Sequence, residues 1–202
     1  MLLGSSAQDF SITLRCERGQ SLDRHLDSST RRCTLAGEAT IRLWLDITYA
    51  LVHVHSLGII HDDIKPENIM WDALRSKAVL IDFGAANVVC SGGNWGFSPS
   101  GTPSYAAPEF LEKQKGPPSD VWAFGVTMLF ANGQIALPNG DWLLPRVFEQ
   151  GKDRERMLAW LQEVDLIRQQ LSDDASVLVR MLETDASSRI TPWSLAVVLD
   201  VH

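Results

Sequence analysis

Residues 61–68 read His61-Asp62-Asp63-Ile64-Lys65-Pro66-Glu67-Asn68, placing two adjacent carboxylates, a lysine and an amide on a short stretch that Pro66 keeps out of any helix interior. Phosphoryl transfer asks little covalent chemistry of a protein. It needs a carboxylate to orient and deprotonate the attacking hydroxyl, oxygen ligands for Mg²⁺ and a cation beside the transferring phosphate. Asp63 supplies the carboxylate, Lys65 the cation and Asn68 an amide oxygen, while Asp82 offers a second oxygen site further on. Mg²⁺ keeps several waters and takes one or two protein oxygens plus nucleotide phosphates, a demand that Asn68 and Asp82 meet together.

Outward from this stretch, residues 38–56 (EATIRLWLDITYALVHVHS) are apolar on nearly every side and are expected to form a helix in the middle of a domain, ended by Leu57-Gly58. Residues 68–71 and 77–81 read as two short β runs joined by a polar turn, the second leading into Asp82-Phe83-Gly84. Upstream, residues 10–14 (FSITL) read as a strand, 21–26 as a short helical piece with Ser21 as N-cap, and 27–34 as a loop. Downstream, residues 91–101 (SGGNWGFSPSG) are expected to be a mobile spacer. Ser119 can cap a buried helix over 120–131 (DVWAFGVTMLFA), and residues 141–202 read as amphipathic helices broken by turns at 171–174 and 185–188. The half after Gly101 is thus expected to be almost wholly helical. The fold class is mainly α with a small β element.

The 202 residues fit one domain, and 45% apolar with 21% charged residues is a globular composition. A net charge of -7 argues against a nucleic-acid or anionic-membrane partner, either of which needs a positive face. Cys16, Cys33 and Cys90 are scattered with no zinc spacing and are expected as free thiols in a reducing compartment. The start lacks a basic n-region, and the longest apolar run, 121–131, falls short of the ~20 residues that span a bilayer, so an intracellular, cytoplasmic location is expected. His53 and His55 lie two apart on a helix and face different directions, against a metal site with His61; Trp44, Trp122 and Trp160 read as packing residues.

Taken in order, HDDIKPEN, DFG, GTPSYAAPE and DVWAFG resemble the signature set of the eukaryotic protein kinase large lobe, over nearly the whole chain. An HxDxxxxN-type loop also occurs in small-molecule phosphotransferases, but KPEN, DFG and APE point away from them. The resemblance implies ATP and Mg²⁺ as cofactors and a protein substrate with a Ser or Thr acceptor. It implies Asp63 as catalytic base, Lys65 as the phosphate-contacting lysine, and Asn68 and Asp82 as Mg²⁺ ligands. Lys65 with Pro66-Glu67-Asn68 resembles the serine/threonine type, in which a hydroxyl matching Thr102 bonds the catalytic Asp and Lys. Ala107-Pro108-Glu109 would close the activation segment, Glu109 would pair with Arg189, and Asp120 would bond the catalytic-loop backbone.

Two departures stand out. Asp62 occupies a position where many family members carry an arginine that receives an activation-loop phosphate, and an acid there would repel one. Phosphorylation at Ser98, Ser100 or Thr102 is therefore not expected to act as the switch, and Ala at these positions is expected to leave activity intact. Second, only residues 1–14 precede the stretch resembling the hinge, with no glycine-rich loop, VAIK-like lysine or partner glutamate helix ahead of the catalytic loop. The expected division is residues 1–18 as the last small-lobe strand and hinge and 19–202 as the helical large lobe, with the N-terminal lobe missing. Leu14, residues 69–71 and Ile81 would then be a partly exposed apolar patch. Two functions follow: a serine/threonine kinase domain, truncated, or a non-catalytic lobe-only pseudokinase or scaffold that binds a partner kinase or its small lobe in trans.

Overall fold

Burial along helix α1 (Glu38–Ser56) follows a single stripe of Leu43, Ile47, Leu51 and Val54, the spacing of one helical face. The opposite side carries Ile41, Tyr49 and His53 in solvent, so the expectation of a helix buried all round is corrected. The computed structural model describes residues 2–6, 11–14, 16–88, 97–171 and 177–200, with backbone alone for those before 15.

Helix α2 (Pro117–Ala131) is the true centre, with every residue from 120 to 131 buried. Trp122, Phe124, Val126, Met128, Leu129 and Phe130 are wholly shielded from solvent. Each large apolar side chain so buried contributes about 1.5–3 kcal/mol. The helix starts three residues earlier than Ser119 as N-cap would require. Pro117 and Pro118 fill its first turn, where a missing N–H costs nothing, and the Ser119 hydroxyl accepts from the Gly116 N–H at 3.1 Å.

Around these two helices pack α3 (Lys152–Gln170), α4 (Val177–Met181) and α5 (Pro192–Asp200), with α5 against α1 and α4 against α2. Residues 132–151 contain only one short 3-10 turn, Leu144–Arg146, so the second half is less helical than expected. Trp142, Leu144 and Val147 from this stretch form a second cluster with Phe110 and Met157. Trp44 packs edge-on against Phe124 and Trp160 donates to the Ser104 carbonyl at 2.7 Å, so these tryptophans are packing residues as expected. Among the described residues no helix is long and apolar enough to cross a membrane.

Among the described residues the β element consists of three small antiparallel sheets. Strands β1 (Leu2–Ser6) and β2 (Ser11–Leu14) pair with each other, β1 being a strand that the sequence reading lacked. Strands β3 (Gln20–Ser21), β5 (Ile69–Asp72) and β6 (Lys77–Leu80) form a sheet in the order β3-β5-β6. Strand β4 (Ile59–Ile60) pairs with β7 (Asn87–Val88). The expected apolar patch is corrected in part: Ile69 is 0% and Trp71 3% exposed, because alternate residues of β5 turn into the core. Ser21 does precede a short 3-10 turn, Leu22–Arg24, but makes no side-chain cap. Residues 91–96 of the expected mobile spacer, Cys90 and residues 172–174 lie outside the described residues.

Candidate active site

The segment between β4 and β5 is the HDDIKPEN loop, and two strand pairings aim it. The β5–β6 ladder continues one step beyond its strands, where the Ile81 N–H donates to the Asn68 carbonyl at 2.9 Å. Asn68 and Asp82 therefore flank the same end of that ladder. Antiparallel pairing of Ile60 with Asn87 brings the start of the loop beside the chain that leaves Asp82-Phe83-Gly84. His61, fully buried, faces the Ile81 carbonyl through Nε2 at 3.0 Å and meets the Phe83 ring edge-on at 4.7 Å.

Asp120 fixes the loop from beneath. Its carboxylate, 2% exposed, accepts the His61 N–H at 2.8 Å on Oδ2 and the Asp62 N–H at 2.9 Å on Oδ1. His55 Nε2 reaches the same Oδ2 at 2.8 Å. The loop can then turn sharply at Asp62, whose φ of 64° lies in the left-handed region that Asp tolerates better than most residues.

Around Asp63 three side chains converge. Thr102 donates to Oδ1 at 2.6 Å, the Lys65 ammonium lies 2.8 Å from Oδ2, and the Asn68 amide donates to Oδ2 at 3.1 Å and to the Asp63 carbonyl at 2.8 Å. Lys65 also donates to the Thr102 hydroxyl at 2.7 Å, closing a ring. Burial raises the Asp63 carboxyl, but the bonds from Lys65 and Thr102, the lysine charge and Asn68 outweigh it, so the group sits below the usual carboxylate range. It is an ionised acceptor at neutral pH, with one donor on Oδ1 and room there for another. Next to Thr102, burial and the charges of Glu67, Asp23 and Asp63 hold the Tyr105 phenol well above its ordinary value, so it stays neutral.

For a hard cation, the donor set fits. Asn68 commits its N–H end to Asp63, which leaves its carbonyl oxygen as the free end. Asp82 is exposed at φ 61°, with one carboxylate oxygen taken by the Gly84 N–H at 3.1 Å. Two protein oxygens of this kind suit Mg²⁺ completed by water and phosphate.

The expected pair of Glu109 with Arg189 forms. Arg189 grips Glu109 with two parallel bonds of 2.8 and 3.0 Å, the arginine side chain fully buried, and Ser119 donates to the same carboxylate at 2.8 Å. Two features lay outside the sequence reading. Residues 97–101 are packed, not a mobile spacer, for Phe97 meets Phe110 at 5.2 Å and Phe148 at 5.4 Å. Ser100 donates to Asp62 at 2.6 Å and Lys115 pairs with Asp62 at 2.7 Å, so Ser100 and Thr102 both carry contacts that alanine would remove. No local spacing signals Lys115, which lies 53 residues from Asp62.

The family model for the protein kinase domain matches residues 4–198. The chain is 34% identical to ribosomal protein S6 kinase alpha-3 of Homo sapiens over 148 residues, 72% of this chain and 18% of that protein. It is 33% identical to the carbon catabolite-derepressing protein kinase of Secale cereale over 184 residues, 90% of this chain and 34% of the other. With the serine/threonine-protein kinase PEPKR2 of Arabidopsis thaliana the identity is 31% over 180 residues, 85% and 37% respectively. The chain thus spans 18, 34 and 37% of the length of these relatives. A match over nearly its whole length makes the chain a member of the protein kinase family.

Proposed function

We propose that the chain is the helical large lobe of a serine/threonine protein kinase, residues 1–18 carrying the end of the small lobe, where β1 and β2 pair, with the hinge, and 19–202 the lobe. Its reaction is transfer of the γ-phosphoryl group of ATP to a protein Ser or Thr hydroxyl. The observation that carries this reading is the closed ring of Asp63, Lys65 and Thr102 beside Asn68.

Asp63 accepts a hydrogen bond from the acceptor hydroxyl on Oδ1, aligns its oxygen for in-line attack and takes the proton as the new O–P bond forms and the bridging O–P bond breaks. Its lowered basicity suits a late proton transfer, in which positioning contributes more than deprotonation. Lys65 sits where it stabilises charge on the transferring phosphoryl oxygens while staying anchored to Asp63 and Thr102. Asn68 and Asp82 are the residues that would hold Mg²⁺, which neutralises phosphate charge when bound. The Lys65–Thr102 bond supports the serine/threonine assignment, as the resemblance implies.

The purified chain is tested for Mg²⁺-dependent thermal stabilisation by ATP beside Asp82→Asn. The expected result is stabilisation of the wild type that Asp82→Asn removes. A wild type that ignores MgATP yet co-purifies with another kinase would favour the non-catalytic binding reading instead.

A further inference from the structure

Three segments meet at Asp62: the catalytic loop, the activation segment at Ser100, and the linker into α2 at Lys115. The Lys115 ammonium donates to Asp62 Oδ2 at 2.7 Å, to the Ser100 carbonyl at 2.9 Å and to the Ser100 hydroxyl at 2.9 Å, using all three of its protons. Ser100 donates its own proton to Asp62 Oδ2 at 2.6 Å. The side chains of Lys115 and Asp62 are only 11 and 6% exposed, and the ammonium also lies 5.3 Å from the Phe110 ring. Next along, Gly101 has φ +97° and approaches so closely that a Cβ there would stand 2.9 Å from the Asp62 carbonyl oxygen. Thr102 then donates to Asp63. Residues 100–102 are laid on residues 62–63 almost residue for residue.

We infer that Asp62, Ser100 and Lys115 form the anchor that holds the activation segment on the catalytic loop without any added phosphate, and that negative charge placed on Ser100 releases it. The polarity decides the sign. The loop side is acidic and the single cation comes from the linker. Among the described residues no second cation contacts Asp62 or Ser100. A phosphoryl group on Ser100 brings a charge of about -1.5 to -2 and removes the proton that Ser100 gives to Asp62. Lys115 cannot neutralise both anions, and Asp120, bonded to the Asp62 N–H, adds a further negative charge nearby. Release of Ser100 draws Thr102 away from Asp63, so these are positioning residues whose effect on phosphotransfer rests on the function proposed above.

Hydrogen exchange on the full chain tests the anchor without requiring turnover, so failure of the proposed reaction would leave the result readable. In peptides covering residues 97–106, Ser100→Glu is expected to speed exchange at least tenfold while residues 121–131 of α2 keep their protection. Adding Asp62→Asn to Ser100→Glu is expected to restore most of the protection, because the new carboxylate then has Lys115 to itself. Lys115→Met is expected to loosen residues 97–106 and Lys115→Arg to hold them. Wild-type protection in Ser100→Glu, or no rescue by Asp62→Asn, would overturn the inference. Should Ser100→Glu expose α2 as well, Lys115→Met decides: loosening confined to 97–106 supports the anchor, and wild-type exchange there overturns it.

Discussion

The Thr102 hydroxyl gives its proton to Asp63 Oδ1 at 2.6 Å while accepting one from Lys65 at 2.7 Å, joining residues 39 apart in the chain. A single hydroxyl thereby fixes the carboxylate and the cation relative to each other. Hydrogen bonds to charged groups contribute about 1.5–3 kcal/mol. Thr102→Ala is expected to lower kcat by about 10- to 100-fold with a smaller change in KM, and Thr102→Ser to recover most of the loss. This replaces the expectation from sequence that alanine at position 102 is harmless.

Arg189 is expected to be the most costly surface-distant substitution. Its guanidinium serves Glu109 twice, the carbonyls of Glu183 and Pro118 at 2.8 Å each, and the Trp122 ring at 5.2 Å. Arg189→Ala strands a buried carboxylate, and losing one partner of such a pair costs about 3–5 kcal/mol. Arg189→Lys should still be destabilising, because an ammonium cannot reproduce the two-pronged contact. Urea unfolding midpoints measure both; a midpoint unchanged in Arg189→Ala would refute the reading.

Gly125 lets α2 lie close to α4. A Cβ there would meet Leu182 at 2.9 Å and the Met181 Cβ at 3.2 Å. Gly125→Val is expected to destabilise the chain by about 1–3 kcal/mol through overpacking, against the gain in helix propensity. Differential scanning calorimetry checks the sign.

Asp27 makes an acid-sensitive turn. The bonds from the Ser29 hydroxyl, the Thr30 N–H, the Thr30 hydroxyl and the Ser29 N–H lower its carboxyl from 3.8 to about 2. A depressed pKa means that the unfolded chain binds the proton more tightly, so the stabilisation is present above 3.8 and is lost as pH falls towards about 2. Stability measured across that window should fall less steeply in Asp27→Asn than in the wild type.

Much of this was legible in the sequence because it depends on local order. The bounds 38–56 for α1, the β runs on either side of the turn after Trp71, the Glu109–Arg189 pair and the Asp120 contact to the loop backbone all follow from periodicity or from the order of the kinase motifs. What stayed hidden depends on contacts between distant segments. Gly, Ser and Pro in residues 97–101 read as freedom, yet Phe97 is held by two other rings and Ser100 by a buried ion pair. Residue composition reports what a backbone is free to do, and tertiary contacts decide whether it does so. The one-sided burial of α1 was illegible for the reverse reason: apolar residues occur on both faces, and the positions of its neighbours, β6 and α5 above all, choose between them.

The most direct test of the site is phosphotransfer from ATP to a Ser/Thr-containing protein by the full chain and its Asp63→Asn variant, measured with Mg²⁺ and with EDTA. The expected result is Mg²⁺-dependent phosphoserine or phosphothreonine that Asp63→Asn lowers by about 10²- to 10⁴-fold, the range in which a positioned acid or base contributes. Equal transfer by the wild type and Asp63→Asn, or transfer that persists in EDTA, would contradict the assignment of Asp63 as the residue that orients and deprotonates the acceptor.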